Sequence, residues 1–469
     1  MKYDSVGFDN YLCRLVEEGK YPGVSVTIRG PEGIIFDKAY GKRSIERNTD
    51  VDTDTMFGVA SMSKSMVALA CCILHVEGKM SLDDPINKYF PDFKVPGVPD
   101  ECITVDMMMQ HRACIPPMEP LEWSIAMNSI ERDSSWYRHM LKTSPNKMDK
   151  IEQIVEYISK GDYVPLGMPG EYMSYSNEGY AILSYVVDQA AGMPLEDFLM
   201  ERVFKPIGMT RSILDLDCSE ARKLSGGNIT SLFELDDGKL IEDDNWSVLP
   251  PFRGCACVKS TSKDMSAYYM CLCNKGIHEG KQVIPAEAVE LMVGDRFPVQ
   301  KEPYYCCGLD KRRVKDIVVC EHSGGLHGVS SHGGFTSNGY SMAVLCNAGE
   351  FDMDNFIWGC YGFVNGWDYT EPLRWAEPTG TEFTMPEALC GDFLCKEGVP
   401  AHAVVRYEDG KLKAKYSDRD VELLHCGGTV FAAVIDGDPN RRISTFKFFI
   451  REGKAWAVRC YTRFYQRVE

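Results

Sequence analysis

Residues 61–77, SMSKSMVALACCILHVE, constrain this chain more than any other stretch. The pattern reads as one helix, with Ser61 able to cap its start and Gly78 to stop it. Apolar residues run nearly all the way round, so no face is left for water and the helix belongs at the centre of a fold. The polar start is the exception. Ser61, Ser63 and Lys64 stand where a sealed core would hold Leu or Ala.

A central helix needs layers around it. In residues 23–41, GVSVTI and GIIFDKAYG are β-rich with RGPEG as the turn between them, and a helix is expected near residues 8–19. Residues 178–201 read as a helix, a Gly-containing turn and a second helix. Residues 317–347 return to strands, with a turn at Ser337-Asn338-Gly339. Residues 117–165 are polar and helix-prone without strand alternation. They are expected to be a helical insertion over or beside the cleft.

The composition shifts to Pro, Thr and Glu near residues 370–388, which predicts a linker over 371–385. Beyond it, AHAVVRYEDGKLKAKY turns at Asp409-Gly410 and ISTFKFFIREGKAWAVRCYTRFY turns at Gly453. Residues 386–469 therefore read as a small antiparallel barrel or sandwich. The fold class so read is α+β. An antiparallel sheet flanked by helices, with an all-helical region, occupies residues 1–370, and a small C-terminal antiparallel β-barrel follows. A length of 469 residues fits two or three domains.

Charge narrows the partners. Lys and Arg number 51 against 68 Asp and Glu, a net charge of -17, which repels phosphate backbones and argues against nucleic acid. No stretch approaches the ~20 apolar residues of a membrane span. The N-terminal MKYDSVGFDNYLCRLVEEGKYPG has acids and a Gly where a signal peptide has an apolar core, so a cytoplasmic location is expected. The 19 cysteines, an odd number, are then expected to stay free thiols. Cys255-x-Cys257 and Cys271-x-Cys273 have one residue between them, where structural zinc sites use two to four. They read as buried small apolar residues, and no metal is expected.

Ser-x-x-Lys occurs four times, at Ser61, Ser144, Ser260 and Ser444. Only Ser61 opens a buried helix, where positions i and i+3 share a face and the helix start favours developing negative charge. A serine hydroxyl is a poor nucleophile until a base takes its proton. Lys64 can be that base only when neutral, which needs burial or a nearby cation. Tyr175-Ser176-Asn177 precedes a helix. A phenol beside a lysine can share its proton, and the Asn amide can hold both lysine and substrate carbonyl. His322-Ser323-Gly324-Gly325 ends a strand, where glycines admit a substrate backbone. Read alone, the Tyr-x-Asn is equally a core aromatic and a helix cap, and the His-Ser-Gly-Gly a strand end and turn.

Together, in this order, they resemble the serine β-lactamase and penicillin-binding-protein superfamily, in its class C-like branch of β-lactamases, DD-peptidases, D-aminopeptidases and esterases. The likeness is carried by GVASMSKSM, KMSLDDPINKYFP, ITVDMMMQH, PGEYMSYSNEGYAIL, VFKPIGM, GCACVKSTSKDMSAYY and HSGGLHGVSS, over roughly residues 8–350. The resemblance implies that Ser61 is the acyl-accepting nucleophile and that Lys64 and Tyr175 form the general acid/base pair. It implies that Asn177 positions Lys64 and the substrate amide. The N–H groups of Ser61 and Gly325 would form the oxyanion hole, within a substrate-binding strand of His322, Ser323, Gly324 and Gly325. It implies no cofactor.

Two positions depart from the pattern. His322 stands where β-lactamases and many DD-peptidases have a lysine that anchors the substrate carboxylate, and a neutral or weakly charged His holds a carboxylate less strongly. In the family, His here goes with D-aminopeptidases, amidases and esterases. Ala113-Cys114, in Gln110-His111-Arg112-Ala113-Cys114-Ile115-Pro116, stand where the family usually has Ser-Gly. The C-terminal segment resembles the lipocalin-like barrels of several D-amino-acid-directed members, in which the barrel can shape the substrate pocket.

The expected function is a serine hydrolase working through an acyl-enzyme on a small-molecule or short-peptide substrate: small amides, D-residue peptides or esters. A β-lactamase or DD-peptidase is one alternative. An acyl transferase or peptide cyclase using the same acyl-enzyme is another. A scaffold with a dead site is a third, against which the complete set of side chains argues. The sequence leaves the oligomeric state open.

Overall fold

The computed structural model describes residues 3–128, 135–144, 148–236, 239–349, 351–371, 374–397, 401–416 and 418–468. The chain opens with α1 (Ser5–Gly19), capped by the Asp4 side chain and burying Phe8, Tyr11, Leu12 and Val16. The hairpin of β1 (Gly23–Gly30) and β2 (Gly33–Ser44) follows. Alternation along β1 sorts its two faces. Val24, Val26 and Ile28 join the core that holds Phe8 and Phe356. Ser25 and Thr27 turn the other way and share the Ser262 hydroxyl, each at 2.7 Å.

The main sheet adds β3 (Thr49–Asp50), β4 (Tyr304–Tyr305), β5 (Asp310–Val314), β6 (Ile317–Leu326), β7 (Val329–Thr336) and β8 (Tyr340–Cys346). Its order is β4-β5-β6-β7-β8-β1-β2-β3, and every neighbouring pair is antiparallel. The N-terminal hairpin thus docks on the last strand, from Val24↔Cys346 to Arg29↔Ser341. The turn at residues 337–339 closes on Gly339 at φ +90°, a conformation in which glycine pays no steric cost.

The central helix α2 spans Ser63–Val76, and its residues from Ser63 to Leu74 are all buried. It ends at Gly78, at φ +70°. Its start differs from the sequence expectation. Ser61 is not the cap; it lies in a 3-10 turn, Ala60–Met62, that precedes the helix. Ala60 takes a left-handed φ of +44°, and the turn's own carbonyls satisfy the Ser63 N–H. The Ser61 hydroxyl is therefore not needed by the backbone.

Within residues 117–165, helices Pro120–Asn128, Ser135–Thr143 and Ile151–Lys160 bury Trp123, Met140, Ile154 and Ile158 in the same core as α2. Next comes α3 (Asn177–Ala191), ended by Gly192, then a second helix, Leu195–Leu199, that continues as a π-helical turn, Met200–Phe204. α4 (Ser262–Cys273) and α5 (Asp354–Asn365) complete the layers.

The C-terminal part is an eight-stranded closed antiparallel barrel: β9 (Gly391–Cys395), β10 (Ala401–Glu408), β11 (Lys411–Tyr416), β12 (Arg419–Gly427), β13 (Val430–Val434), β14 (Arg442–Arg451), β15 (Lys454–Cys460) and β16 (Arg463–Val468). β9 closes it on β16 through Asp392↔Val468. Asp409 and Gly410 sit at φ +53° and +74° in the two-residue turn expected there.

Aromatic packing and ion pairs both join the barrel to the rest of the chain. Tyr172 packs edge-on against Phe449, Trp456 and Phe464. The Glu302 carboxylate takes both Lys447, at 2.8 Å, and Arg459, at 2.7 Å. All 19 cysteines are free thiols. Among the described residues, no group of three or more His, Cys, Asp and Glu could hold a metal, and no helix is long and apolar enough to cross a membrane.

Candidate active site

The nucleophile candidate is held by its neighbours' backbone. Val59 donates to the Val258 carbonyl at 3.1 Å, and Ser331 Oγ donates to the Val59 carbonyl at 2.9 Å. Ser61 is thereby fixed between β7 and the start of α2. One turn on, Lys64 Nζ donates to Ser61 Oγ at 3.0 Å and to the Cys255 carbonyl at 3.2 Å. Lys64 is fully buried, and among the described residues no carboxylate pairs with it. Its Nζ lies 4.9 Å from the centre of the Tyr175 ring.

Tyr175 is 7% exposed, and its Oη is buried with no hydrogen-bond partner among the described residues. The ring packs on His111, with centroids 4.2 Å apart, and the Arg463 guanidinium lies 4.3 Å from its centre. Its backbone N–H donates to the Thr462 carbonyl at 3.1 Å. His111 Nδ1 accepts from the Ser176 N–H at 3.0 Å. Burial and the nearby Lys64 hold the His111 pKa well below the usual histidine range. A neutral ring that accepts at Nδ1 is the form this contact needs. Cys114 sits at φ +54°, the left-handed region that glycine adopts freely. This matches a place where the family usually has Ser-Gly.

Ser176 caps α3 by accepting from the Gly179 N–H, which puts Asn177 in the first turn. The Asn177 carbonyl accepts from Cys255 Sγ at 3.1 Å, and burial keeps that thiol protonated by raising its pKa to about 12. Asn177 Nδ2 donates to Glu397 Oε1 at 3.2 Å. The resemblance implies that Asn177 also positions Lys64. Here the Cys255 carbonyl and Ser61 take the Lys64 contacts instead. Burial pushes the neighbouring Glu178 carboxyl, which accepts from Ser176 Oγ at 3.1 Å, up to about 8.

His322 is buried, and burial together with Lys64 lowers its pKa to about 3. Its Nδ1 meets the Ser323 carbonyl at 2.5 Å and its Nε2 meets Tyr305 Oη at 3.0 Å. A carbonyl can only accept, so Nδ1 carries the proton, Nε2 accepts and Tyr305 donates. His322 therefore presents no charge to the cleft, and both of its nitrogens are already used.

The strand beyond it has an open edge. β5 pairs with β6 only as far as Asp310↔Glu321. β7 lies along the other edge, through Gly324↔Ser331 and Gly325↔Ser330. The Ser337 N–H bond to the Val318 carbonyl, at 2.8 Å, sets the phase of that ladder. Even-numbered residues of β6 bond to β7, so Ser323 and Gly325 turn their backbone polar groups to the open edge. The two glycines are not equivalent. A Cβ on Gly324 would meet Ser331 Oγ at 2.4 Å and the Val59 carbonyl at 2.5 Å, whereas one on Gly325 would meet nothing within 4 Å. Gly324 lets the strand lie against the turn that carries Ser61; Gly325 leaves space in front of it.

A cavity of about 1140 Å³ opens beside this edge. It is bounded by residues 322–325 on one side and by Lys447, Arg459 and Tyr461 of the barrel on the other, and no described residue of 117–165 lines it. The structure brings Ser61, Lys64, Tyr175 and the third-motif strand together. It adds Tyr305, Glu397, Thr462 and Arg463, which the sequence did not single out, and Cys255, read there only as a buried small apolar residue. His111 was visible only within a longer motif, and no local pattern marks the barrel residues.

Residues 8–357 match the family model described as Beta-lactamase. Penicillin-binding protein 4* of Bacillus subtilis is 24% identical over 200 residues, which are 42% of this chain and 39% of that protein. The chain thus spans well under half the length of that relative. The octameric penicillin-binding protein homologue from Pyrococcus abyssi superposes with a TM-score of 0.67 at 19% identity, over 98% of this chain and 99% of that one. The D-amino acid amidase from Ochrobactrum anthropi, complexed with L-phenylalanine amide, gives a TM-score of 0.56 at 21% identity, over 75% and 94%. At such identities the two structures speak for the fold alone.

Proposed function

Because the chain belongs to the beta-lactamase family, we propose that it is a serine hydrolase that cleaves small amides, D-residue peptides or esters through an acyl-enzyme on Ser61. The 3.0 Å contact from Lys64 Nζ to Ser61 Oγ carries this reading. Lys64 takes the hydroxyl proton as Ser61 Oγ attacks the substrate carbonyl carbon. The N–H groups of Ser61 and Gly325 hold the oxyanion, each such donor being worth about 10²–10³ in rate. Tyr175 Oη and Lys64 pass the proton to the leaving amine or alcohol as the C–N or C–O bond breaks. Water then attacks the ester on Ser61 by the reverse proton path and releases the acid.

The neutral, doubly bonded His322 supports the amide and ester reading over a β-lactamase or DD-peptidase, because it offers a substrate carboxylate neither charge nor a spare donor. The test is labelling with a fluorophosphonate, read by peptide mass. A screen of D- and L-amino-acid amides, short acyl esters and a chromogenic cephalosporin follows, with Ser61→Ala as control. An adduct on the Ser61 peptide and turnover of an amide or ester are expected. No adduct, or full activity in Ser61→Ala, overturns the reading; cephalosporin turnover above amide turnover replaces it with the β-lactamase one.

A further inference from the structure

We propose that Glu397, carried by the barrel and clamped by Arg463, is a positioning residue that fixes which end of the Asn177 amide faces the substrate. The inference rests on the serine-hydrolase reading. An Asn side chain has a donor end and an acceptor end of nearly equal size, so an unconstrained amide can present either. An ionised carboxylate can only accept. The 3.2 Å contact of Asn177 Nδ2 with Glu397 Oε1 therefore sets Nδ2 toward the barrel and Oδ1 away from it. Where Oδ1 meets the substrate, it selects a group that donates, such as an amide N–H.

Glu397 can do this only if it is itself immobile, and Arg463 makes it so. Arg463 Nη2 donates to Oε1 at 2.9 Å and Nε donates to Oε2, a two-point grip that leaves the carboxylate no free rotation. Their side chains are 27% and 16% exposed, so solvent competes weakly. Arg463 is fixed in turn by Thr462 Oγ1, at 2.8 Å, and by its stack on Tyr175. The adjacent Thr462 carbonyl holds the Tyr175 backbone. One barrel loop and one strand start thus grip both ends of Tyr175-Ser176-Asn177.

A docking ion pair would show the same bonds, so the test must separate positioning from docking. In the full-length protein, kcat/KM is measured for an amide and an ester of the same acyl group. The variants are Glu397→Ala, Glu397→Gln, Asn177→Ala and the double variant Glu397→Ala with Asn177→Ala. Glu397→Ala is expected to lower the amide rate about tenfold, and the ester rate less, because an ester has no N–H for Oδ1. Glu397→Gln keeps an acceptor oxygen and recovers most of the loss. In the Asn177→Ala background, Glu397→Ala has no further effect. Equal loss in both backgrounds, or equal loss for amide and ester, overturns this inference alone. Wild-type protein whose Ser61 takes no fluorophosphonate overturns the hydrolase reading and this one with it.

Discussion

Gly324→Ala and Gly325→Ala form a matched pair, because neither glycine has a positive φ and alanine is allowed by the backbone at both. Only the surroundings differ. At Gly324 the new Cβ would stand 2.5 Å from the Val59 carbonyl, a backbone atom that cannot rotate away. Ordinary contact begins near 3.4 Å, so strand and nucleophile turn must part by about 0.9 Å. Val59 immediately precedes the turn that carries Ser61, so the displacement falls on the gap between Ser61 and the strand of Gly324 and Gly325. A misplacement of about 1 Å costs on the order of 10²-fold in rate, and the overpacking itself costs about 1–3 kcal/mol. At Gly325 the Cβ enters open space, so stability should stay within about 0.5 kcal/mol of wild type and any loss falls on substrate access. The assay is kcat/KM for a small ester beside urea unfolding for both variants. Gly324→Ala with wild-type turnover, or Gly325→Ala as the less stable protein, would falsify the packing argument.

Lys64→Met keeps the buried stem and removes the base, so ester turnover should drop by about 10²–10⁴ while circular dichroism stays native; turnover within tenfold of wild type would remove Lys64 from the chemistry. His322 stays neutral down to about pH 3, so kcat/KM should show no limb from it between about pH 5 and 8. A limb near pH 6.5 that vanishes in His322→Asn would contradict that. His332 is the opposite case: burial opposes its charge, yet Asp354 and Glu321 raise its pKa to about 9. A histidine raised in the fold gives stability that is complete below its unfolded pKa of 6.5 and is lost as pH rises through 9. His332→Gln should flatten that decline in urea unfolding against pH, and an unchanged slope would assign it elsewhere.

What the sequence shows best is what short-range geometry decides. Ser61 and Lys64 share a face because they lie three apart, and Asp409-Gly410 turns because those residues tolerate left-handed backbone. The start of α2 was less legible, because Ala60 at φ +44° is imposed by the strands around it and not by its own preference. Residues 117–165 look polar as a whole. Yet Ile151, Ile154, Val155 and Ile158 form an apolar stripe at helical spacing, and burial followed the stripe. Glu397 and Asn177 lie 220 residues apart, and only the docking of the barrel joins them. No window along the chain contains that contact.

The anchoring of the site divides along the same line. Ser61 and Lys64 are tied to Val59, Cys255 and Ser331, all within the sheet-and-helix body, and short bonds to backbone carbonyls fix them. Tyr175 and Asn177 take contacts from Thr462, Arg463 and Glu397, all in the barrel. The Ser61–Lys64 contact thus draws its hydrogen bonds from outside the barrel. In the proposed mechanism, the proton path through Tyr175 and the orientation of the Asn177 amide depend on the barrel contacts. A shift of the barrel acts first on which substrate is accepted and how its leaving group departs, and only secondarily on the attack by Ser61.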